Sequence, residues 1–402
     1  MAFLLLPYTD REMTRSLLIA LILAQCIQGF AQISDSTDVD VVDLLFSKKK
    51  REATTRYRSN KKVHFSLLPA AVNVPGGGKA VITAVNATFY AGDPSVTNLS
   101  NVYLIPYTNF TNRYGLYLRP NIWFAGNKLN LIADYRIAHF PQYSWGLGGD
   151  SPEWDESLID SDYLRLYQTA LFKIFKYWFA GIGYNFDHRY GITETEYVGE
   201  GHLSRYGEDL TSTTSSGFTF NVVYDSRANA INPQRGTYAL FSIRRNETWL
   251  SSTYANSSLF VDGRKYFRLS DVFDRVLAFR SYYWTVLQGE TPYLDLPATN
   301  WAPATGIASR GFQTGRYRSN AMLYFEGEQR FQLTANGLFG VVAFLNVASA
   351  TEFDTQHFKT WQAGGGFGIR IKMNKYSDSN IAVDLAFSNN YWGVWLNIGE
   401  VF

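Results

Sequence analysis

The sequence predicts an all-β chain closed into one transmembrane, antiparallel β-barrel of about 16 strands, and three observations carry that expectation. Segment after segment alternates apolar and polar residues with period two. Aromatic residues make up 16% of the 402 residues, as 29 Phe, 27 Tyr and 10 Trp, while charged residues make up only 18%. Beyond the N-terminal region, no apolar run reaches the length of about 20 residues that a spanning helix needs. A charged share below the roughly 25% of ordinary soluble domains, with so many aromatic rings, excludes a disordered chain and a coiled coil. The 37 Lys and Arg against 35 Asp and Glu leave a net charge of +2, which gives no argument for nucleic acid. No break in composition divides the chain, so one large body is expected.

In chain order, residues 1–31 read as a signal peptide. Arg15 precedes a short apolar run, and Gly29-Phe30-Ala31 offers a small residue at a cleavage point, with Met13 as an alternative start. The single cysteine, Cys26, lies inside this segment, so cleavage after Ala31 leaves a mature chain without thiols. Export without disulfides fits a bacterial envelope protein, placed in the outer membrane and surrounded by its lipids. Residues 32–62 are too few to fold unaided and are expected to form a basic periplasmic tail or plug. Their Lys48, Lys49, Lys50, Arg51, Arg56, Arg58, Lys61 and Lys62 suit anionic head groups or an acidic partner.

Residues 63–402 are expected to be the barrel. In 128–138 the apolar Leu129, Leu131, Ala133, Tyr135 and Ile137 alternate with Lys128, Asn130, Asp134 and Arg136. In 361–373 one face carries Trp361, Phe367, Ile369 and Ile371, and the other Gly364, Gly366, Gly368, Arg370 and Lys372. Ile381, Val383, Leu385 and Phe387 oppose Ala382, Asp384, Ala386 and Ser388. Charged residues within long strands suit a wet lumen, and aromatic residues at strand ends suit interfacial girdles. The alternation starts near Val63, Lys79, Val96, Asn112, Lys128, Ser161, Lys176, Gly217, Gly236, Thr253, Asp274, Ser319, Asn336, Thr360, Ser379 and Trp392. With a periplasmic tail the long connections 140–160, 188–216 and 289–318 become the third, fourth and sixth outer loops, and Gly126-Asn127 and Ala335-Asn336-Gly337 become tight turns.

In the sixth outer loop, Ser309-Arg310-Gly311-Phe312-Gln313-Thr314-Gly315-Arg316-Tyr317-Arg318 resembles the loop motif of the BamA/TamA superfamily of outer-membrane barrels. Asp225, Arg227, Pro233 and Gly236 resemble that family's periplasmic turn between the eighth and ninth strands. Glu328-Gln329-Arg330 and the glycines from Gly364 to Gly368 resemble its twelfth and fourteenth strands, and the ending at Phe402 resembles a C-terminal β-signal, broken by Glu400. The resemblance, of a Bacteroidetes-like kind, implies a role in outer-membrane protein assembly or secretion, with unfolded outer-membrane proteins as clients. Two departures stand out. The 32–62 tail is too short for the family's POTRA domains, which implies a partner that replaces them, and Asn346 stands where the family has an Asp.

Parity along the strands carries a physical expectation for the motif. Arg310, with Gly311 and Phe312, folds into the lumen, where Glu326, Glu328 and Asn346 are its expected partners, because a buried guanidinium needs such groups. The first and last strands form a weak seam. Pro69 cannot donate a ladder hydrogen bond, and Gly393 and Gly399 pack poorly beside the terminal Phe402, so the open edge can template another strand. The competing expectation is a passive channel or structural barrel. The histidines, His64, His139, His188, His202 and His357, lack metal-ligand spacing, and neither a G-x-S-x-G elbow nor a dinucleotide loop occurs, so no enzyme, metal or cofactor is expected.

Overall fold

The computed structural model describes residues 38–44, 62–73, 79–110, 112–270, 275–303, 309–389 and 391–402. The signal peptide and nearly all of the basic run lie outside them. Alternating strands can satisfy their backbone only against neighbours, so a sheet with one apolar and one polar face curls until its ends meet. The described residues form seventeen strands: β1 (Val63–Asn73), β2 (Lys79–Phe89), β3 (Ser100–Thr108), β4 (Tyr114–Trp123), β5 (Leu129–His139), β6 (Gln142–Ser144), β7 (Ser157–Phe175), β8 (Trp178–Thr195), β9 (Ser212–Asp225), β10 (Gly236–Asn246), β11 (Asn256–Ser270), β12 (Arg275–Gly289), β13 (Ala321–Gln332), β14 (Phe339–Ala350), β15 (Gln362–Asn374), β16 (Ser379–Ser388) and β17 (Tyr391–Ile398). Sixteen run in unbroken antiparallel sequence from β1 to β17, and the short β6 adds to the edge of β7 within the third long loop.

The two faces separate cleanly. Along β7, Ser157, Ile159, Ser161, Tyr163, Arg165 and Tyr167 are buried inward while Leu164, Leu166 and Gln168 point out. Phe367 and Ile369 on β15 and Phe387 on β16 are exposed outward, and Arg370 and Asp384 on the same strands are buried inward. The inward face is packed with side chains. Loop residues Ala298, Trp301, Phe312 and Tyr317 form one buried cluster with Tyr107, Tyr163, Phe260, Tyr282, Trp284 and Tyr324 from the walls.

Two expected loops are tighter than the alternation suggested. β7 starts at Ser157 and β8 and β9 extend to Thr195 and Ser212, because polar residues such as Asp160, Asp162 and Thr213 continue the ladder beyond the apolar belt. The fourth loop there holds a single helical turn, whose His202 and Leu203 N–H groups both donate to the Glu194 carboxylate.

The chain end departs from expectation. β17 stops at Ile398, and Gly399 at φ +93° turns the last residues into the lumen. Glu400 donates its N–H to the Ile231 carbonyl, and Phe402 packs with Tyr266, Val276, Ala278 and Val401. Gly399 and Phe402 are therefore not seam residues, and Glu400 interrupts the apolar alternation because it has left the sheet. A side chain at Gly399 would lie 2.7 Å from the Ile231 side chain and 2.8 Å from its carbonyl oxygen. Gly399→Val should untuck the chain end and cost about 1–3 kcal/mol, read as a lower thermal unfolding midpoint and faster carboxypeptidase digestion.

Candidate functional site

The site is built at both ends of the lumen and along the seam. At the end with the long loops, the sixth loop between β12 and β13 descends into the barrel. Gly311, at φ +86°, lets its backbone pass β16, where a Cβ would lie 2.9 Å from the Phe387 carbonyl oxygen. Arg310 is fully buried. Its guanidinium donates to Glu326, to Glu328 and, at 2.6 Å, to Asp384, and stands 3.6 Å above the Phe344 ring. Asn346 holds the loop's backbone instead of its charge, donating its amide to the Arg310 carbonyl at 2.9 Å.

The glycines of β15 make room for this arrangement. A Cβ on Gly364 would touch the Phe312 ring at 3.4 Å, one on Gly366 would meet the Phe344 ring at 2.7 Å, and one on Gly368 would overlap the Asp384 carboxylate. Asp384 is shared with Arg370 at 2.5 Å, and Arg370 reaches Glu400 at 2.7 Å. Glu328 is likewise shared with Arg330 at 2.6 Å, and Arg330 donates to the carbonyls of Phe402 and Pro233. Next to these, Asp262 accepts from Arg264 and Arg280. Five guanidinium groups thus meet five carboxylates in a dry interior, which is the condition for burying them.

Across the lumen, among the described residues, Arg119, Arg136, Arg165, Arg189 and Arg244 pair with Asp134, Asp187 and Asp295. Ring faces and neutral acceptors supply further surroundings: Arg244 donates to the Asn185 and Ser215 carbonyls and to Asn246, and Arg189 to the Leu294 carbonyl. The Trp301 ring lies 4.9 Å from both Arg165 and Arg189, Tyr163 lies 4.2 Å from Arg189, and Tyr167 lies 4.3 Å from Arg165.

The turn between β9 and β10 closes the opposite mouth. Arg227 pairs with Asp225 at 2.8 Å and lies over the Tyr238 ring, while Gly236 at φ +115° packs against the Ser226 carbonyl. Asn229 and Asn232 then donate to the Ser377 and Asp378 carbonyls on the turn between β15 and β16. Part of the expected tail reaches the same mouth. It is acidic there: Val39 bonds to the Asn336 carbonyl, and Asp43 pairs with Lys375 at 3.0 Å.

At the seam, no registered ladder joins β1 to β17 among the described residues. Side chains bridge the gap instead. Ser66 on β1 meets Ser379 on β16 at 3.1 Å, His64 stacks on Tyr376, and Tyr103 on β3 donates to the Ile398 carbonyl. Pro69 lies mid-strand opposite Thr83, not at the strand's end, and Gly393 makes room for the Trp395 ring 2.8 Å from its would-be Cβ. Among the described residues, no hydrogen bond reaches either side-chain amide atom of the fully buried Asn86, opposite Ser66.

No family model matches the chain, and no curated protein matches it in sequence. Solved structures do match. BamA from Haemophilus ducreyi, lacking POTRA domains 1–3, aligns with a TM-score of 0.51 at 12% identity, over 84% of this chain and 69% of that one. CdiB from Acinetobacter baumannii and from Escherichia coli align with TM-scores of 0.51 and 0.52 at 11% and 10% identity. The chain spans 60% and 61% of their lengths, and they cover 84% and 85% of it. This chain has their barrel fold.

Three site residues escaped the sequence reading. Asp384, Arg370 and Glu400 complete the Arg310 network, and the lumen parity of the first two was visible in their alternating strands. Glu400 was hidden by the turn at Gly399. A group of Asp155, Ser157, His202 and Glu194 also emerged at the outer ends of β7 and β8 and their loops, Ser157 and His202 buried and the two carboxylates half-buried, with His202 held 3.3 Å from Asp155 and 3.0 Å from the Ser157 hydroxyl. That hydroxyl is fully buried and donates to Glu194 at 2.6 Å, so the group pins loops together.

Two predictions follow from these contacts. Arg310→Ala leaves the buried Glu326 without its cation and takes from Glu328 and Asp384 one of the two that each shares, and should destabilise the barrel by about 3–5 kcal/mol, read as a lower unfolding temperature in heat-modifiability gels, with Arg310→Lys less severe. In the fourth loop, burial pushes the Glu208 carboxyl up to about 7 while it accepts the Tyr293 N–H at 2.9 Å. The raised value means that the neutral acid is the form the fold prefers. Its stabilisation is complete below the ordinary carboxyl range and is lost as pH rises through about 7. Proteolysis of the fourth and sixth loops should therefore quicken between pH 5 and 8 in the wild type, and Glu208→Gln should flatten that dependence.

Proposed function

We propose that this protein is an outer-membrane β-barrel that assists the assembly or secretion of other envelope proteins, using the open seam between β1 and β17 as a template for a client strand. In that reading the signal peptide delivers the chain, the long loops face outward and the tail end faces the periplasm. The observation that carries it is the combination of a lumen braced by Arg310 with a first strand that lacks its closing ladder. A braced lumen keeps the wall rigid, so opening is confined to the seam, where among the described residues no ladder joins β1 to β17 and their facing edges can accept an incoming strand.

BamA and CdiB lend this reading their fold alone. Clients would be unfolded outer-membrane proteins, handed over by a periplasmic or outer-membrane partner, and the chain itself would carry out no covalent chemistry. A passive channel fits less well, because the sixth loop fills the lumen against the walls.

Depletion followed by quantitative proteomics of the outer membrane tests the role. Selective loss of other barrels or surface proteins is expected, and an unchanged outer-membrane proteome overturns it. A disulfide across the seam tests the mechanism. Ser66→Cys with Ser379→Cys places two thiols where hydroxyls now lie 3.1 Å apart. The oxidised pair should reproduce the depletion phenotype, and reduction should relieve it.

A further inference from the structure

The lipid-facing wall is not smooth. Across β10, β11 and β12 the outward positions Ala239, Gly263 and Ser281 stand side by side in register. One row nearer the tail end, Lys265 is paired with Thr237 on one side and Phe279 on the other, and Gly327 follows on β13. Together they floor a groove of about 670 Å3, walled by Phe279, Phe325 and Leu345. Its openness is a matter of missing atoms. Other glycines within the strands, such as Gly181, Gly217 and Gly366, are clamped, with would-be Cβ atoms about 2 Å from a neighbouring carbonyl oxygen. At Gly263 a Cβ would meet only the Ser281 hydroxyl, at 3.7 Å, and at Gly327 only the Phe279 ring, at 3.5 Å.

The groove has a charge at one end. The Lys265 ammonium is exposed on this face, donating to the Thr237 hydroxyl at 2.9 Å and lying 5.4 Å from the Phe267 ring. Thr237 is the second residue of β10, and on β11 the exposed Phe267 and Leu269 continue the apolar face beyond Lys265, so this cation stands in the tail-end part of the apolar belt rather than at its edge. A lysine so placed extends its long stem along the apolar surface toward the head groups, where it suits an anionic partner.

We propose that the groove holds one glycerophospholipid of the periplasmic leaflet, with its phosphate on Lys265 and Thr237 and one acyl chain lying over Gly263 and Ser281. The three-strand floor is about 14 Å across, which suits a length of acyl chain. The lipid fills space that the sheet leaves empty, so the site is independent of the role proposed for the seam.

The test uses the full barrel in nanodiscs containing a phosphatidylethanolamine with a diazirine on one acyl chain, followed by native mass spectrometry in mild detergent. One retained phospholipid per chain, crosslinked to β10–β12, is expected. Lys265→Gln should lower retention about five-fold, the share that one interfacial cation contributes. Gly263→Leu should displace the crosslink while leaving heat-modifiability unchanged, which reports a folded barrel. Retention unaffected by both variants overturns the proposal, as does a crosslink that maps elsewhere. A dimer of this chain that Gly263→Leu dissociates also overturns it, by assigning the face to a second copy.

Discussion

A guanidinium with no water around it must be surrounded by carboxylates, and the placement of Arg310 imposes that condition on the rest of the barrel. Its three acidic partners come from β13 and β16, and two of them are shared with cations that reach the chain end. The long loop, the wall and the C-terminus therefore form one ionic network that runs from the middle of the lumen to its tail-end mouth. In a low-dielectric interior such a network is strong when complete and costly when any member is missing, so it holds a single arrangement of loop and wall.

That rigidity contrasts with the seam. Around the sheet every neighbouring pair from β1 to β17 is registered over eight or more residues except for shorter pairings at β2 and β3 and at the small β6, while the closing pair relies on a few side-chain bridges. Ladder hydrogen bonds act cooperatively along a strand and isolated side-chain bonds do not. The same body thus combines a wall that resists deformation with one line along which it is weak.

Much of this was legible in the sequence because a barrel strand writes its two environments in alternate letters. Four strands begin at the expected residue, Val63, Lys79, Gly236 and Ser379, and most of the others within three. The starts that missed by more lie at Ser100, Ser157 and Ser212, where small polar residues form strand in water as readily as they form loop, so period two fades. The inward course of the sixth loop was legible from Arg310 and the carboxylates of β13. The role of Asn346 was not, since an amide offers a donor to backbone as easily as to a side chain. Nor was the tucked chain end, because an alternating run ending in Phe gives no sign that a left-handed glycine will turn its last residues away from the lipid.

The tucked residues also tie distant parts of the barrel together. Phe402 and Glu400 lie inside walls that they do not belong to, bonded through Arg330 and Arg370 to strands on the far side of β17. There they meet the turn that carries Ile231 and Pro233, whose carbonyls accept from Glu400 and Arg330. The residues after β17 and the turn between β9 and β10 thus hold one another, and loosening either frees both.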